Sequence, residues 1–314
     1  MNLESYSFLV TGGAGFIGTN LVRRLLGEGG RVFVLDDLSS GFISNVPSEV
    51  DFISGDIANP KVWESLPPVD YVYHLGAMVS VVESIENPIR CEQVNVHSIL
   101  HLLNYVRRCK ALKIVFASSA AIYGDLAEIQ VEDQYPDPKS PYGLSKLSAE
   151  YFLNMAYGNE GIPYVALRMF NVFGPYQSVG STYASVIPIF VNKILNNQPL
   201  SIYGDGHQTR DFIYVQQVVD YYIQALRGNI TGVYNAGNNS NCSINTLAQK
   251  IIAIVGNLNH HIEYFDSRPG DIKTSLADID RLRRDFVIQE LDFDKSLSET
   301  IEYYVSRQIK LNKS

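Results

Sequence analysis

The stretch Thr11-Gly12-Gly13-Ala14-Gly15-Phe16-Ile17-Gly18 decides the fold of this chain. It follows a short apolar run typical of a buried strand and precedes a segment, 19–26, whose apolar residues have helical spacing. A strand, a glycine turn and a helix in this order are typical of a dinucleotide-binding unit. Gly12 is expected to permit the tight turn, Gly15 to let a pyrophosphate approach the backbone, and Gly18 to let helix and strand pack closely.

A second predicted strand, Arg31–Leu35, ends in Asp36, which lies about 20 residues beyond the motif. An acidic side chain at this point is expected to bind the ribose of adenosine. Because no arginine follows Asp36, a 2′-phosphate would meet a carboxylate, and the sequence favours NAD over NADP. The helix start supplies free N–H groups and a partial positive charge for the phosphates. The alternative is a glycine-rich turn in an α/β fold that binds no nucleotide.

Composition and charge are ordinary for a soluble globular protein. The chain has 314 residues, of which 46% are hydrophobic and 18% charged, enough for a large core and two lobes. A net charge of -8 argues against a nucleic-acid partner. No apolar stretch approaches the length of about 18 residues that a membrane span requires, so no membrane association is expected. The N-terminus lacks the basic and apolar regions of a signal peptide.

The three cysteines, Cys91, Cys109 and Cys242, are widely spaced and fit neither a disulfide framework nor a zinc site. This usage indicates a reducing compartment. We therefore expect a cytoplasmic protein without a metal site.

Apolar strands alternate with helical patterns through the first half of the chain. Strands are predicted at 8–11, 32–36, 51–54, 71–75, 114–118 and 165–170, and helices at 16–27, 89–109 and 142–158. This alternation predicts a Rossmann-type, doubly wound parallel sheet in an NAD-binding domain, 1–171. Shorter elements with Gly, Pro and Asn turns predict a smaller α+β lobe formed by 172–211 and 237–314. The segment 212–236 is expected to return to the sheet.

Tyr142 and Lys146 are four residues apart at a predicted helix start, and Pro141 before them suits a helix entrance. The spacing places both side chains on one helix face. A nearby ammonium favours the phenolate and is expected to lower the pKa of the tyrosine, which could then remove a hydroxyl proton from a substrate. Ser119 ends a predicted strand at the edge where open α/β sheets bind ligands, and it could position the reacting oxygen.

Together these elements resemble the extended branch of the short-chain dehydrogenase/reductase superfamily, over nearly the whole chain. The matching segments are Thr11–Gly18, Gly55-Asp56-Ile57, His74-Leu75-Gly76-Ala77 and Arg168–Pro175. The resemblance implies that Ser119, Tyr142 and Lys146 form the catalytic triad. The implied cofactor-binding residues are Gly12, Gly15, Phe16, Ile17, Gly18, Asp36, Asp37, Ser40, Asp56, Ile57, Leu75, Ala77, Tyr142 and Lys146.

Two further motifs, Tyr203–Phe212 and Arg268-Pro269-Gly270-Asp271, resemble those that bind the nucleotide diphosphate in nucleotide-sugar epimerases of this branch. Guanidinium suits bidentate phosphate recognition, and an acidic protein needs such local positive charge. A surface ion pair is the alternative role for either arginine. The implied substrate-binding residues are Ser80, Ser119, Tyr142, Asn171, Val186, Ser201, Tyr203, Arg210, Arg268, Asp271 and Ser275.

The reaction type is narrowed by what the chain lacks. Dehydratases of the branch carry an Asp-Glu pair after the triad hydroxyl residue, whereas this chain has Ala120 and Ala121. An elimination needs an acid and a base beyond the tyrosine. The resemblance therefore implies an NAD-dependent 4-epimerase of UDP-sugars, which oxidises and re-reduces C4.

Ser275 bears on the choice of sugar. In the related UDP-galactose 4-epimerases, a tyrosine at the matching position is typical of enzymes that act only on the glucose sugars. A small residue there leaves room for an N-acetyl group. The resemblance therefore implies interconversion of UDP-GlcNAc and UDP-GalNAc, with UDP-Glc and UDP-Gal as further substrates. Val79 stands where many such enzymes carry a lysine, and Ser80 resembles a pocket serine of the N-acetylhexosamine group.

Three alternatives stay open: a UDP-glucose 4-epimerase, a UDP-glucuronate 4-epimerase, and an NAD-binding scaffold without catalysis. A uronate site would need a cation or hydroxyl cluster that we do not identify, and a scaffold would not need Tyr142 and Lys146. The helices predicted at 89–109 and 142–158 resemble those that form a four-helix dimer interface in this branch. The resemblance therefore implies a homodimer.

Overall fold

A parallel sheet of seven strands, in the order β11-β7-β5-β4-β1-β2-β3, forms the centre of the larger lobe in this computed structural model. The structure describes residues 3–125, 129–178, 185–267 and 273–311. The strands are β1 Ser7–Thr11, β2 Arg31–Asp36, β3 Asp51–Ser54, β4 Tyr71–His74, β5 Lys113–Ser119, β6 Ile129–Gln130, β7 Tyr164–Met169, β8 Asn171–Phe173, β9 Leu200–Tyr203, β10 Thr209–Tyr214, β11 Gly232–Ala236, β12 Asn241–Ser243, β13 Ile262–Phe265 and β14 Thr274–Ala277.

Helices cover both faces of this sheet and fill the smaller lobe. They are α1 Phe16–Gly27, α2 Pro60–Ser65, α3 Val81–Glu86, α4 Pro88–Glu92, α5 Ser98–Cys109, α6 Pro141–Glu160, α7 Val186–Leu195, α8 Val215–Gln224, α9 Ile244–Val255, α10 Asp280–Asp285 and α11 Phe293–Leu311.

The predicted Rossmann-type fold is confirmed, and every strand pair of the central sheet is parallel. The inner strands are apolar and buried on both faces, as parallel strands covered by helices must be. Strand β1 lies between β2 and β4, so the strand order reverses direction beside it. Ligands of open α/β sheets bind at such a reversal, outside the carboxyl ends of the strands.

The helix predicted over 89–109 is interrupted. Helix α4 runs into a π-helical turn, Gln93–His97, before α5 continues. Such a turn adds one residue to the helical repeat and re-aims the side chains within it. The apolar periodicity extends across the interruption, so the sequence pattern did not reveal it.

The smaller lobe contains a second sheet in the order β12-β10-β14-β6, with β8 also paired to β10, and a two-stranded sheet of β9 and β13. Its apolar core includes Phe173, Phe190 and Leu247, and the partly buried Phe16 and Ile17 of α1 pack against it. Strand β11 joins the central sheet beside β7, whereas β10 belongs to the smaller lobe. The chain thus crosses between the lobes several times.

In the part of the chain that the structure describes, no helix is long and apolar enough to span a membrane. The same residues contain no group of three or more His, Cys, Asp or Glu side chains placed to hold a metal ion.

Candidate active site

The glycine loop follows β1 and enters α1. Gly12 has a φ of +70°, and a Cβ atom there would lie 2.7 Å from the main-chain nitrogen of Gly76. A Cβ at Gly18 would lie 2.1 Å from the carbonyl oxygen of Gly12, so helix and loop touch at this point. Gly15 is the N-cap of α1, makes no side-chain cap, and has no acidic residue in the turn that follows it. The first N–H groups of α1 are therefore placed to bind an anion, which fits a dinucleotide diphosphate.

Asp36 ends β2 and holds the loop that faces the glycine turn. Its carboxylate accepts hydrogen bonds from the main-chain nitrogens of Ala14, at 2.9 Å, and Leu38, at 2.8 Å. Burial raises the pKa of Asp36, and these two hydrogen bonds oppose that shift. Asp37 and Ser40 are exposed in the same loop. Each Asp36 oxygen has a further lone pair, so the arrangement leaves acceptor capacity for a ribose hydroxyl.

The next two strand ends complete this side of the cleft. Asp56 accepts a hydrogen bond from Arg90, at 2.8 Å, and Ile57 is buried beneath Gly76. Leu75 donates its main-chain N–H to Thr11, and Ala77 follows in the same half-buried loop. A Cβ at Gly76 would lie only 3.1 Å from Ile57, which explains why glycine stands here. The predicted cofactor residues therefore line one edge of the sheet, and the donor set fits NAD.

Helix α6 presents Tyr142 and Lys146 to this edge. Ser140 caps it by accepting from the main-chain nitrogen of Gly143, at 3.1 Å, and Pro141 occupies the first turn. Gly161 ends it in the left-handed conformation. These local signals fix the register of the helix, so the two chemical side chains lie one turn apart on its inner face.

Tyr142 is hydrogen-bonded to Ser119 at the end of β5. Burial raises the pKa of Tyr142, and the bond to Ser119 partly offsets the shift. The prediction that Lys146 lowers the pKa of Tyr142 is wrong, because this pKa is raised. The ammonium lies 5.9 Å from the centre of the tyrosine ring and donates instead to the main-chain oxygen of Ala117, at 2.8 Å.

Lys146 is buried, and its Nζ lies 4.8 Å from the centre of the Phe116 ring. Burial lowers the pKa of Lys146 to about 8, and the negative charge of Glu150 acts against that shift. A lysine with such a pKa can exchange a proton near neutral pH.

The charged cluster behind α6 was missed by sequence reasoning. It consists of Glu150, Arg168, Ser118 and Tyr123, all buried. The Arg168 guanidinium donates to both Glu150 oxygens, with the shortest distance 2.7 Å, and to the Tyr123 hydroxyl, at 3.0 Å. Burial alone would lower the pKa of Arg168, but its hydrogen bonds to Glu150 raise it above the ordinary value. The available signal was an acid four residues after Lys146 on a buried helix face.

An uncharged group of buried side chains, His74, Thr11 and Ser98, also reaches Phe116, and we call it the neutral cluster. Here His74 contacts the Thr11 hydroxyl at 2.9 Å and the Ser98 hydroxyl at 3.3 Å, and its ring stacks on Phe116. Burial, assisted by the charge of Lys146, lowers the pKa of His74 to about 3. His74 is therefore a neutral structural histidine, and Thr11 joins it to the loop at Gly76.

Asn95, in the π-helical turn, joins the cofactor edge to the catalytic helix. Its side-chain amide pairs with the main chain of Met78, at 2.8 and 3.0 Å, and donates to the Ser145 hydroxyl at 3.0 Å. Ser145 in turn donates to the carbonyl oxygen of Tyr142, at 2.7 Å. The π turn thus explains how one helix reaches both segments, which the sequence did not predict.

Asn171 connects this edge to the smaller lobe. It lies in β8, two residues after Met169, the register partner of Ser119 in the central sheet. Its amide donates to the main-chain oxygen of Asp211 at 3.1 Å, and β8 pairs with β10 at Phe212. The polar edge of the central sheet therefore continues directly onto β10.

Arg210 and Ser275 are brought together by the smaller sheet. They are register partners on the parallel strands β10 and β14, and Ser275 is 7% exposed. Arg210 also donates to the main-chain oxygen of Thr209, at 2.9 Å. Sixty-five positions separate the two residues, so this adjacency is a tertiary result.

Ser80 is the N-cap of α3, where its hydroxyl accepts from the main-chain nitrogen of Glu83 at 3.0 Å. The same short helix contacts the catalytic helix, because the Ser84 hydroxyl accepts from the main-chain nitrogen of Tyr142 at 3.2 Å. Val79 beside it is exposed.

Three predicted substrate residues lie on α7 and β9. Val186 is the first residue of α7 and is half-buried. The Ser201 hydroxyl accepts from Lys193 at 2.7 Å, and the ring of Tyr203 lies 5.7 Å from that of Phe265. These contacts place them in the smaller lobe, apart from the triad. Arg268 and Asp271 lie outside the described residues, and their roles stay predictions.

Comparisons with known proteins agree on one family. The model of the NAD dependent epimerase/dehydratase family matches residues 8–237. A putative UDP-glucose 4-epimerase of Methanocaldococcus jannaschii is 34% identical over 299 residues, which cover 94% of this chain and 97% of that protein.

Two solved structures resemble the whole chain. A UDP-N-acetylglucosamine 4-epimerase from Methanobrevibacter ruminantium, in complex with UDP-N-acetylmuramic acid, aligns with a TM-score of 0.92 and 37% identity, covering 96% of this chain and 99% of that one. A UDP-glucose 4-epimerase from Thermotoga maritima, with UDP-glucose, aligns with a TM-score of 0.92 and 32% identity at the same coverage.

Proposed function

The chain belongs to the NAD-dependent epimerase/dehydratase family, and from this premise we propose that it interconverts UDP-N-acetylglucosamine and UDP-N-acetylgalactosamine. It is an NAD-dependent UDP-sugar 4-epimerase, an isomerase. The observation that carries the choice of sugar is the small hydroxyl of Ser275 beside Arg210 on the neighbouring strand.

Tyr142 is the proposed base and acid. Its hydroxyl, once deprotonated, takes the proton from the 4-hydroxyl of the sugar and later returns it. Ser119, hydrogen-bonded to Tyr142, orients the same sugar oxygen, and the Lys146 ammonium favours the phenolate when the two groups approach. NAD, when bound, supplies the reversible hydride acceptor, so the transient 4-keto sugar is reduced on either face with no net redox change. The glycine loop and Asp36 would hold it.

Elimination chemistry is disfavoured by the turn that follows Ser119. Residues Ala120–Ile122 form one 3₁₀ turn, in which the main-chain nitrogen of Ala121 donates to the Ser119 hydroxyl, and two of its three side chains are methyl groups. A dehydratase needs an additional acid and base at the sugar ring. The turn leaves proton transfer through Tyr142 as the supported chemistry.

We propose that Ser275 lines the sugar pocket because its small side chain leaves room for a larger substituent on the sugar. Its side chain is buried, so a tyrosine here would fill space beside Arg210 that an N-acetyl group could occupy. Arg210 is the proposed phosphate ligand, since a guanidinium suits a diphosphate. Asn171, Ser80, Val186, Ser201, Tyr203, Arg268 and Asp271 are the further proposed substrate residues.

The test is proton NMR of the anomeric region after separate incubations with UDP-GlcNAc, UDP-glucose and UDP-glucuronate, without added NAD. We expect a new galacto-type signal from UDP-GlcNAc, and a loss of about 10²–10⁴ in rate for Tyr142→Phe. Ser275→Tyr should lose the acetylated substrate and keep UDP-glucose. Thr274→Tyr puts the same ring on the opposite face of β14 and serves as the matched control.

Each outcome separates the alternatives. Conversion of UDP-glucose alone would make the chain a UDP-glucose 4-epimerase and refute the role of Ser275. Conversion of UDP-glucuronate alone would identify the uronate epimerase. No epimer from any of the three, even with NAD added, would favour the scaffold.

We propose further that the protein is a homodimer through α5 and α6. Their outer faces carry exposed apolar side chains, namely Leu100, Leu144, Tyr151, Met155 and Tyr157. On α6, Leu144, Tyr151 and Met155 recur at helical spacing and form one stripe. Between the helices lies a groove of about 290 Å³. Such a stripe on an otherwise polar surface marks a protein interface, and a second copy supplies a complementary stripe.

Light scattering tests this assembly. The wild-type protein should have twice the mass of the chain, and Met155→Glu should shift it to the monomer because a charge would be buried at the interface. Leu112→Glu, a change at an exposed leucine before β5, should leave the mass unchanged. A wild-type monomer at micromolar concentration would contradict the proposal.

A further inference from the structure

Tyr176 adopts a backbone conformation that is unusual for a bulky residue. It lies in the crossover, residues 174–177, which leads from β8 into the smaller lobe, and its φ is +72°. Side chains larger than glycine are crowded in this region, so the conformation persists only where neighbouring groups hold it. The contacts around Tyr176 identify those groups.

The ring of Tyr176 is held from two elements. The Arg23 guanidinium of α1 lies 5.2 Å from its centre, and the ring of Tyr303 of α11 lies 5.0 Å away. One contact is a cation–π interaction and the other an aromatic pair. Tyr176 therefore joins the cofactor helix to the C-terminal helix.

The main chain on either side of Tyr176 is fixed by the same two helices. The carbonyl oxygen of Pro175 accepts from the Asn20 amide of α1 at 3.0 Å. The carbonyl oxygen of Gln177 accepts from the Tyr304 hydroxyl of α11 at 2.8 Å. Asn20 and Tyr304 are both buried, so these bonds are shielded from water.

Helix α11 continues to a third segment. Arg307 donates to the Tyr303 hydroxyl at 2.7 Å, and its guanidinium lies 6.0 Å from the centre of the Phe42 ring. Phe42 belongs to the loop after Asp36, and its main-chain nitrogen donates to Ala14 of the glycine loop at 3.2 Å. One helix thus contacts the crossover and the ribose-side loop, and through Tyr176 it reaches α1.

We infer that Tyr176 and helix α11 form a clamp that positions the crossover against α1 and so retains NAD. The inference rests on the proposed NAD site. The clamped segments are the glycine loop with its helix, the loop after Asp36, and the crossover. The first two carry proposed cofactor residues, and the third follows Asn171, a proposed substrate residue. An enzyme that returns the hydride to the same substrate needs its cofactor to stay bound between turnovers, and the clamp opposes separation of these segments. Tyr176 is a positioning residue, since it acts through them.

The test measures NAD release from the purified full-length protein. Tyr176→Asn keeps a residue type that tolerates positive φ but removes the ring, and Tyr176→Phe keeps the ring. We expect NAD to leave the asparagine variant at least about tenfold faster, by loss of about 1.4 kcal/mol of restraint, and the phenylalanine variant to match the wild type. Added NAD should restore the turnover of the asparagine variant, which a merely destabilised fold would not do.

Two further variants guard the interpretation. Arg31→Ala removes a comparable guanidinium–ring contact, 4.8 Å over Phe33, at the opposite end of β2, and should retain NAD. Tyr303→Leu removes the aromatic contact with Tyr176 by changing the partner on α11. It replaces Tyr176→Asn in the test if that variant does not fold. Equal NAD release by wild type, Tyr176→Asn and Tyr303→Leu overturns the clamp alone. A wild-type protein that carries no NAD after purification and binds none in a direct titration overturns the proposed function and the clamp together.

Discussion

The charged cluster and the neutral cluster both lie near Lys146, but the first contains ionised buried side chains and the second contains none. In the first, Glu150 and Arg168 keep full charges in the interior, and in the second His74 stays uncharged with a pKa of about 3. Burial disfavours a charge in both places. The difference lies in the partners, because Arg168 donates to a carboxylate, whereas the ring nitrogens of His74 contact the hydroxyl groups of Thr11 and Ser98.

The comparison teaches how Lys146 is controlled. Glu150, one turn further along α6, favours the charged ammonium, and burial opposes it. His74, which contacts the same Phe116 ring as Lys146, is neutral and adds no positive charge of its own. A charged histidine there would repel the Lys146 ammonium and lower the pKa of the lysine further. Electrostatic interactions with Cys91 and Glu150 therefore favour the charged ammonium, and His74 adds no positive charge that would oppose them.

The largest effect is expected from breaking the charged cluster. Arg168→Met leaves the Glu150 carboxylate buried without its partner, which should lower the free energy of unfolding by about 3–5 kcal/mol. Denaturant unfolding of purified protein measures this change. The double variant with Glu150→Met removes both charges and should recover part of the loss, and a double variant less stable than Arg168→Met would contradict the assignment.

An intermediate effect that depends on pH is expected from His74→Phe. The ring keeps its stacking on Phe116, but the Thr11 and Ser98 hydroxyls lose the imidazole as a partner, which should cost about 1–3 kcal/mol at neutral pH. In the wild type, His74 has a folded-state pKa of about 3 against an ordinary 6.5. The unfolded chain therefore binds a proton on this ring below about pH 6.5 that the folded chain refuses, and stability falls as the pH falls through that window.

The variant lacks this titration. The difference in the free energy of unfolding between the wild type and His74→Phe should therefore shrink by about 1.4 kcal/mol per pH unit as the pH falls from about 6 to 4. Urea unfolding at several pH values in this range measures the gap. Val72→Ala, a change in the same buried strand without a titratable group, should show a constant gap, and a constant gap for His74→Phe would refute the neutral state of His74.

The smallest effect is expected from Tyr123→Phe, which tests whether the ion pair or a neutral hydroxyl stabilises the charged cluster. Tyr123→Phe removes one hydroxyl that accepts from Arg168 and contacts Asn235, while both charges stay paired. We expect a loss of about 1–2 kcal/mol, because two buried hydrogen bonds, each contributing about 0.5–1.5 kcal/mol, are removed. A loss as large as that of Arg168→Met would mean that the hydroxyl, not the ion pair, holds the cluster together. Thermal or denaturant unfolding decides between them.

The local signals of the sequence predicted the parallel sheet and placed the triad on it. A glycine at a forced φ, an acid at a strand end and two side chains at helical spacing each act within a few residues, so their pattern is visible in the chain. The pairing of Glu150 with Arg168, the turn at Asn95 and the contacts of Tyr176 join distant segments. Single-chain periodicity carries no record of such partners.

The sequence by itself determined the Rossmann-type fold, the family and the identity of Ser119, Tyr142 and Lys146 as the candidate triad, because strand and helix patterns and short motifs are local properties. Only the tertiary structure decided that Lys146 donates to Ala117 rather than facing Tyr142, and that Ser275 lies beside Arg210. These outcomes depend on burial and on strand register. Both arise when segments far apart in the chain pack together and exclude water.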